Sequence, residues 1–313
     1  MISSKKIFIT GGAGFIGTKL SERLANDNKL ILYDNLWRNS LKNSYIHNHP
    51  NVQLIQGDIL DFENLNEILH EIKPDIVVHL AAIAGVDTVI KYPVKTLKIN
   101  MIGTYNILEA IKDLKIERFL NFSTSEIFGS YAYKVDDNAQ SSLATVGEAR
   151  WTYSVSKLAG EHLSYAYYKE YGIPIVNIRP FNVYGPGQVG EGAIHRFVIR
   201  ALKNEDLEIH GDGDQIRSWC YIDDFIEGVI LCLEKEEAIG QAFNIGNPKG
   251  TTTISMLAKL IKEISGSNSK IIYVPKTYVD VELRIPSIDK AKTILGYNPK
   301  IELEEGIKRT IEW

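Results

Sequence analysis

Only two cysteines occur in the 313 residues, Cys220 and Cys232, and neither sits in a Cys-x-x-Cys pair or near a histidine cluster. That spacing argues against a disulfide scaffold and a zinc site, so no metal is expected and a reducing cytoplasm fits best. Long apolar runs are missing too: no stretch approaches the roughly 18 residues of a membrane span, so no membrane partner is expected. Met1–Lys6 lead straight into the short run Ile7–Thr10, which breaks at glycine and does not resemble a signal peptide. With a net charge of −4 and both signs interspersed, there is no basic stripe for nucleic acid. Internal repeats and low-complexity linkers are absent, and 44% hydrophobic content is ample for a core.

What is present is a rhythm. Short β-branched or apolar runs at Lys6–Thr10, Leu30–Tyr33, Val52–Gln56, Ile76–Leu80 and Phe119–Phe122 alternate with amphipathic stretches, the first from Phe15 to Ala25. This predicts βαβ units and an α/β fold with a parallel sheet covered on both faces. A helix is predicted from Tyr153 to about Tyr171 and a strand at Ile175–Ile178. The stretch Pro180–Gly192, rich in proline and glycine, predicts a loop, and shorter mixed segments follow. The expected architecture is a doubly wound Rossmann sheet over 1–180, with returning segments at about 218–248. A smaller, interleaved C-terminal lobe is expected over 181–313.

Thr10-Gly11-Gly12-Ala13-Gly14-Phe15-Ile16-Gly17 follows the first strand and opens the first helix. Gly11 suits a tight turn, Gly14 lets pyrophosphate approach the backbone, and Gly17 lets helix and strand pack closely. Phe15 and Ile16 place free N–H groups at the helix start, where phosphate binds. Asp34, seventeen residues beyond Gly17, ends the second strand, followed by Asn35. An acid there accepts hydrogen bonds from both ribose hydroxyls and repels a 2′-phosphate, which favours NAD. Asp58 and Ile59 after the third strand, and Leu80, Ala81 and Ala82 after the fourth, are expected against the same cofactor.

Tyr153-Ser-Val-Ser-Lys157 sets a phenol and an ammonium four residues apart, on one helical face. A cation nearby lowers a phenol's pKa, which lets Tyr153 take a hydroxyl proton while hydride leaves to NAD, and leaves Lys157 free for the nicotinamide ribose. Ser123-Thr124-Ser125-Glu126 follows the strand at Phe119–Phe122, at the sheet end where α/β folds bind ligands. One of its hydroxyls can hold the substrate oxygen against Tyr153. A protein that merely senses NAD has no use for this combination.

The glycine pattern, Ser-Thr-Ser-Glu and Tyr-x-x-x-Lys, in this order, resemble the extended short-chain dehydrogenases that modify nucleotide sugars. Arg179-Pro-Phe-Asn-Val-Tyr-Gly-Pro186, Ile209–Asp224 and Asn244-Ile-Gly246 are similar to further segments of that family, so the likeness covers essentially the whole chain. The resemblance implies NAD held tightly and recycled during transient oxidation at sugar C4. It implies a substrate linked to UDP, GDP, CDP or dTDP, its diphosphate held by Asn182, Arg217 and Arg284. It further implies that Asn100 helps order the active-site helix beside the cofactor, and that the chain pairs as a homodimer through that helix and its neighbour near Val94–Lys112.

Several reactions leave the C4 ketone: 4,6-dehydration, loss of a C6 carboxylate as carbon dioxide, or 4-epimerisation. Glu126 is a candidate general base for H5 and weighs against a simple epimerase. Arg150–Lys157 and Asp280–Ile288 resemble the decarboxylase half of the bacterial enzyme that makes 4-amino-4-deoxyarabinose, in a subgroup that also holds acetamido-sugar dehydratases. Ser125 stands where dTDP-glucose dehydratases carry an aspartate. Taken together, the sequence ranks dehydration first, decarboxylation close behind and epimerisation third.

Overall fold

The computed structural model describes residues 2–143 and 145–313. Seven parallel strands form the main sheet, in the order Gln241–Ile245, Ile175–Pro180, Arg118–Phe122, Ile76–His79, Lys6–Thr10, Lys29–Asp34 and Val52–Gln56. This is the expected doubly wound α/β fold, and its strand order reverses between Lys6–Thr10 and Ile76–His79. Ligands of such sheets bind in the crevice beyond that switch point.

Alternation along the central strands shows why the runs are apolar throughout. Ile7 and Ile9 enter the core on one face of the sheet, while Phe8 between them enters the core on the other. Helices Phe15–Leu24 and Ile222–Glu234 cover the first face; Phe62–Ile72, Gly103–Ile111 and Thr152–Tyr171 cover the second. Val52–Gln56 departs from that pattern, with Gln53 and Gln56 exposed, because it is the sheet's edge and needs cover on fewer sides.

The helix Thr152–Tyr171 spans 20 residues and ends at Gly172, which takes the left-handed conformation of a C-cap. It packs tightly on Gly103–Ile111, where a Cβ on Gly160 would lie 3.3 Å from Thr104 Oγ1. A buried ion pair, Arg179 with Glu161, fixes the helix to the strand Ile175–Pro180; Arg179 Nε donates to Glu161 Oε2 at 3.1 Å.

Beyond Pro180 the chain builds smaller sheets. Thr251–Thr253, Ile216–Ser218, Leu283–Pro286 and Tyr131–Val135 form a four-stranded one, so a segment between the fifth and sixth strands of the main sheet lies beside C-terminal segments. Val183–Tyr184 pairs with Cys220–Tyr221, and Leu207–His210 with Ile271–Val274. The chain also returns: Gln241–Ile245 hydrogen-bonds beside Ile175–Pro180 as the far strand of the main sheet. Among the described residues no helix is long and apolar enough to cross a membrane, and no group of metal-binding side chains occurs.

Candidate active site

The strand ends open into a cleft of about 410 Å³. Gly11 turns the chain with φ +67°, and a Cβ on it would stand 2.7 Å from the Ala81 nitrogen. Gly14 caps the helix Phe15–Leu24 without any side chain bonding its first turn, which leaves N–H groups to meet an anion. Asp34 accepts from Ala13 N at 3.0 Å and from Leu36 N at 2.7 Å, and burial raises its pKa. These features fit a dinucleotide: a bare backbone cradle for pyrophosphate and, at the next strand end, a fixed carboxylate for a ribose. Phe15, Ile16, Gly17, Asn35, Asp58, Ile59, Leu80, Ala81, Ala82 and Ser123 line the same cleft. Replacing Asp34 with alanine is expected to weaken NAD binding about tenfold or more, the worth of charged hydrogen bonds to a ribose, as read by titration calorimetry.

Asn100 stands apart from the other sequence candidates, behind the cleft wall. Its side chain accepts from Ile83 N at 2.8 Å and donates to Ile83 O and to Ser156 Oγ, both at 3.0 Å. It thus joins the loop after Ile76–His79 to the helix that carries Tyr153. Beside it His79, fully buried and lowered to about 3 by that burial, stays neutral. Thr104 Oγ1 donates to Asn100 O at 2.7 Å and so accepts from His79 Nε2 at 3.0 Å, which leaves Nδ1 to accept from Thr10 Oγ1 at 2.8 Å. This chain of bonds gave no separate signal in the sequence.

Tyr153 and Lys157 face the cleft together with Thr124, Ser125 and Glu126. Thr124 Oγ1 bonds the Tyr153 phenol and accepts from Glu126 N at 3.2 Å, capping the short turn Ser125–Phe128. The expected influence of Lys157 on Tyr153 differs from what the structure holds. Burial pushes the phenol up to about 12, with Glu126 adding to the rise, while Thr124, Arg150 and Arg284 oppose it. Lys157 donates to Phe122 O at 2.6 Å, and burial lowers its ammonium to about 8.

Glu126 is not a free carboxylate. Arg150 grips it with two parallel bonds, Nη1 to Oε2 at 2.5 Å and Nη2 to Oε1 at 2.9 Å, and Arg284 Nη1 stands 3.7 Å from Oε1. Burial alone would raise this carboxyl, yet the guanidiniums of Arg150, Arg284 and Arg217 outweigh it and hold Glu126 at about 2. Arg150 also reaches Asp280 at 3.2 Å, and Arg217 reaches the same carboxylate at 3.4 Å. Three buried guanidiniums therefore surround two carboxylates. Arg284, 2% exposed, is drawn down to about 10 by burial, well above neutral pH, so it keeps its charge.

A second cavity, of about 530 Å³, adjoins the first, and Glu126, Asn182 and Arg284 line both. Arg217 lines the second alone, bonded to Ile216 O and Val281 O. Asn182 donates to Ser218 O at 2.8 Å. Neither Arg150 nor Asp280 was singled out for a role in the sequence, although each opens a segment noted for its resemblance. No local spacing could have joined them, since 130 residues separate the pair.

The chain is similar to known proteins over nearly its whole length. A family model described as GDP-mannose 4,6 dehydratase matches residues 8–310. The UDP-N-acetyl-alpha-D-glucosaminuronate decarboxylase of Bacillus cytotoxicus is 33% identical, over 99% of this chain and 97% of its own length. Among solved structures, UDP-glucuronic acid 4-epimerase from Bacillus cereus in complex with UDP-glucuronic acid and NAD superposes with a TM-score of 0.90 at 33% identity, covering 98% of each chain. The dTDP-glucose 4,6-dehydratase of Bacillus anthracis in complex with NAD superposes with a TM-score of 0.87 at 27% identity, over 99% of this chain and 96% of the other. The chain belongs to the family of NAD-dependent nucleotide-sugar epimerases, dehydratases and decarboxylases.

Proposed function

We propose that this enzyme decarboxylates a nucleoside-diphosphate hexuronate after oxidation at C4. The observation that carries the reading is the state of Glu126. A carboxylate held at about 2 by a two-pronged arginine is a weak acceptor for the C5 proton at neutral pH. Dehydration needs such a base together with an acid for the departing C6 hydroxyl. Loss of carbon dioxide from a β-keto acid needs no base, because the C5–C6 bonding electrons flow into the C4 carbonyl as the carboxylate leaves. The ranking drawn from sequence is thereby reversed.

Charge supports the same substrate. Arg150, Arg217 and Arg284 outnumber Glu126 and Asp280, and the surplus positive charge favours an anionic C6. Arg284, at the junction of the two cavities, is the cation best placed for it. Names of relatives point the same way: one acts as a decarboxylase of a glucosaminuronate, and another was solved with UDP-glucuronic acid. In this reading Tyr153, ionised in the positive field of Arg150 and Arg284, accepts the C4 hydroxyl proton, and Thr124 and Ser125 hold the sugar oxygen. Arg150 and Arg284 supply that field against the burial of the phenol. NAD, when bound, supplies the hydride acceptor for C4. Exposed apolar side chains on the neighbouring helices, Met101, Ile102, Tyr105, Val155 and Tyr165, support a homodimer built across them.

The test is a panel of UDP-, GDP-, CDP- and dTDP-linked uronates and neutral hexoses, incubated with the enzyme in heavy water and followed by NMR. A uronate is expected to lose C6 as carbon dioxide and gain deuterium at C5. A C4-inverted uronate with C6 intact would replace the proposal with epimerisation, and a new methyl group from a neutral hexose would restore dehydration.

A further inference from the structure

One carboxylate between the two cavities ties two loops and the start of a helix together. Glu191, which lies in the wall of both cavities, sits in the glycine-rich stretch after the strand Val183–Tyr184. It accepts from the main-chain nitrogens of Asp87 and Thr88 at 2.8 and 3.1 Å, from the Thr88 hydroxyl, and from Arg38 Nη2 at 3.2 Å. Arg38 also donates to Thr88 Oγ1 at 3.2 Å. It lies four residues past Asp34, on the loop that flanks the ribose end of the cofactor cleft. A second tie joins the same two loops, Ser40 Oγ donating to Gly187 O at 2.8 Å.

The backbone is shaped to admit this pair. A Cβ on Gly85 would lie 2.6 Å from the Glu191 carboxyl carbon, and one on Gly190 would lie 2.8 Å from the Arg38 guanidinium carbon. Main chain therefore closes directly over both charged groups. Their side chains are 30% and 16% exposed for Arg38 and Glu191. An ordinary surface ion pair contributes little. This one differs because its carboxylate also accepts the main-chain N–H groups of Asp87 and Thr88 at the start of the helix Val86–Lys91, so releasing it frees three segments at once.

We propose that Glu191, held by Arg38 and Thr88, latches the segment 185–192 as a strap across the NAD cleft and sets the rate at which the cofactor leaves. An enzyme that hands its hydride back to the same sugar must keep the dinucleotide between the two transfers. Glu191 is thus a positioning residue, acting on retention through the loops it joins. The inference rests on the NAD dependence of the family and on return of the hydride to the sugar, which dehydration, epimerisation and redox-neutral decarboxylation share.

The test compares wild type with Glu191→Ala, Arg38→Met and the double variant, each shown to be folded by circular dichroism. Bound NAD is released into an excess of an NAD-consuming trap enzyme, and the dissociation rate constant is read. Each single variant is expected to release NAD about tenfold faster, the effect of losing one charge-assisted contact, and the double variant no faster than either single one. Gel-filtered variants lose activity that returns when NAD is added. Ser40→Ala, which removes the second tie, should raise the rate a few-fold and provides the measurement if the Glu191 variants fail to fold. Dissociation at the wild-type rate, or lost activity that added NAD does not restore, would overturn the proposal.

Discussion

Tyr153→Phe is expected to leave the enzyme unable to oxidise its substrate, with a loss of about a thousandfold or more, within the range for removal of a positioned proton acceptor. The ring sits between the strand end and the long helix, and its hydroxyl bonds Thr124. Phenylalanine keeps the ring and removes the oxygen proposed to take the C4 proton. Burial makes an isolated phenolate costly there, holding the group near 12, so the positive field at this site bears directly on the rate. The measurement is the absorbance of reduced nicotinamide on adding substrate, taken alongside far-ultraviolet circular dichroism. Formation of reduced cofactor at the wild-type rate would move the proton acceptor to another group.

The second large effect concerns stability. Arg150→Met removes the cation that pairs with both Glu126 and Asp280, leaving Glu126 with Arg284 at 3.7 Å and Asp280 with Arg217 at 3.4 Å. Breaking one partner from a buried pair costs about 3–5 kcal/mol, so a marked fall in melting temperature is expected. The double variant Arg150→Met with Glu126→Gln should recover part of the loss, because it no longer buries a poorly compensated charge.

Acid titration reports on the same pair. The Glu126 carboxyl is depressed from 4.5 to about 2 in the folded protein. Its contribution, about 3 kcal/mol from that shift, is complete above the unfolded value and is lost as pH falls from about 4.5 through about 2. Glu126→Gln should flatten the stability curve in that window, and an unchanged slope would show that the arginines do not hold the carboxylate as described.

The cofactor half of the site was legible in sequence because a dinucleotide imposes its demands locally. Gly11, Gly14 and Gly17 stand three residues apart on one turn, and Asp34 must end the very next strand. Tyr153 and Lys157 are likewise one helical turn apart. The arginine cluster obeys no such spacing. Glu126 meets Arg150 across 24 residues and Arg150 meets Asp280 across 130, contacts that only the folded chain creates. Glu126 therefore looked in sequence like an available base, and its engagement by arginine became visible only in the fold. The C-terminal lobe was equally opaque, since strands of two to four residues leave too little periodicity to recognise. Glu191 fell within a stretch that announced only a loop.

The return of Gln241–Ile245 to the main sheet makes the two parts of the chain interdependent. Loss of everything after Pro180 would remove the strand that shields Ile175–Pro180, turning a strand with five buried residues into an open edge prone to pairing with other chains. The C-terminal part is thus woven into the main sheet and does not form a unit that detaches from it.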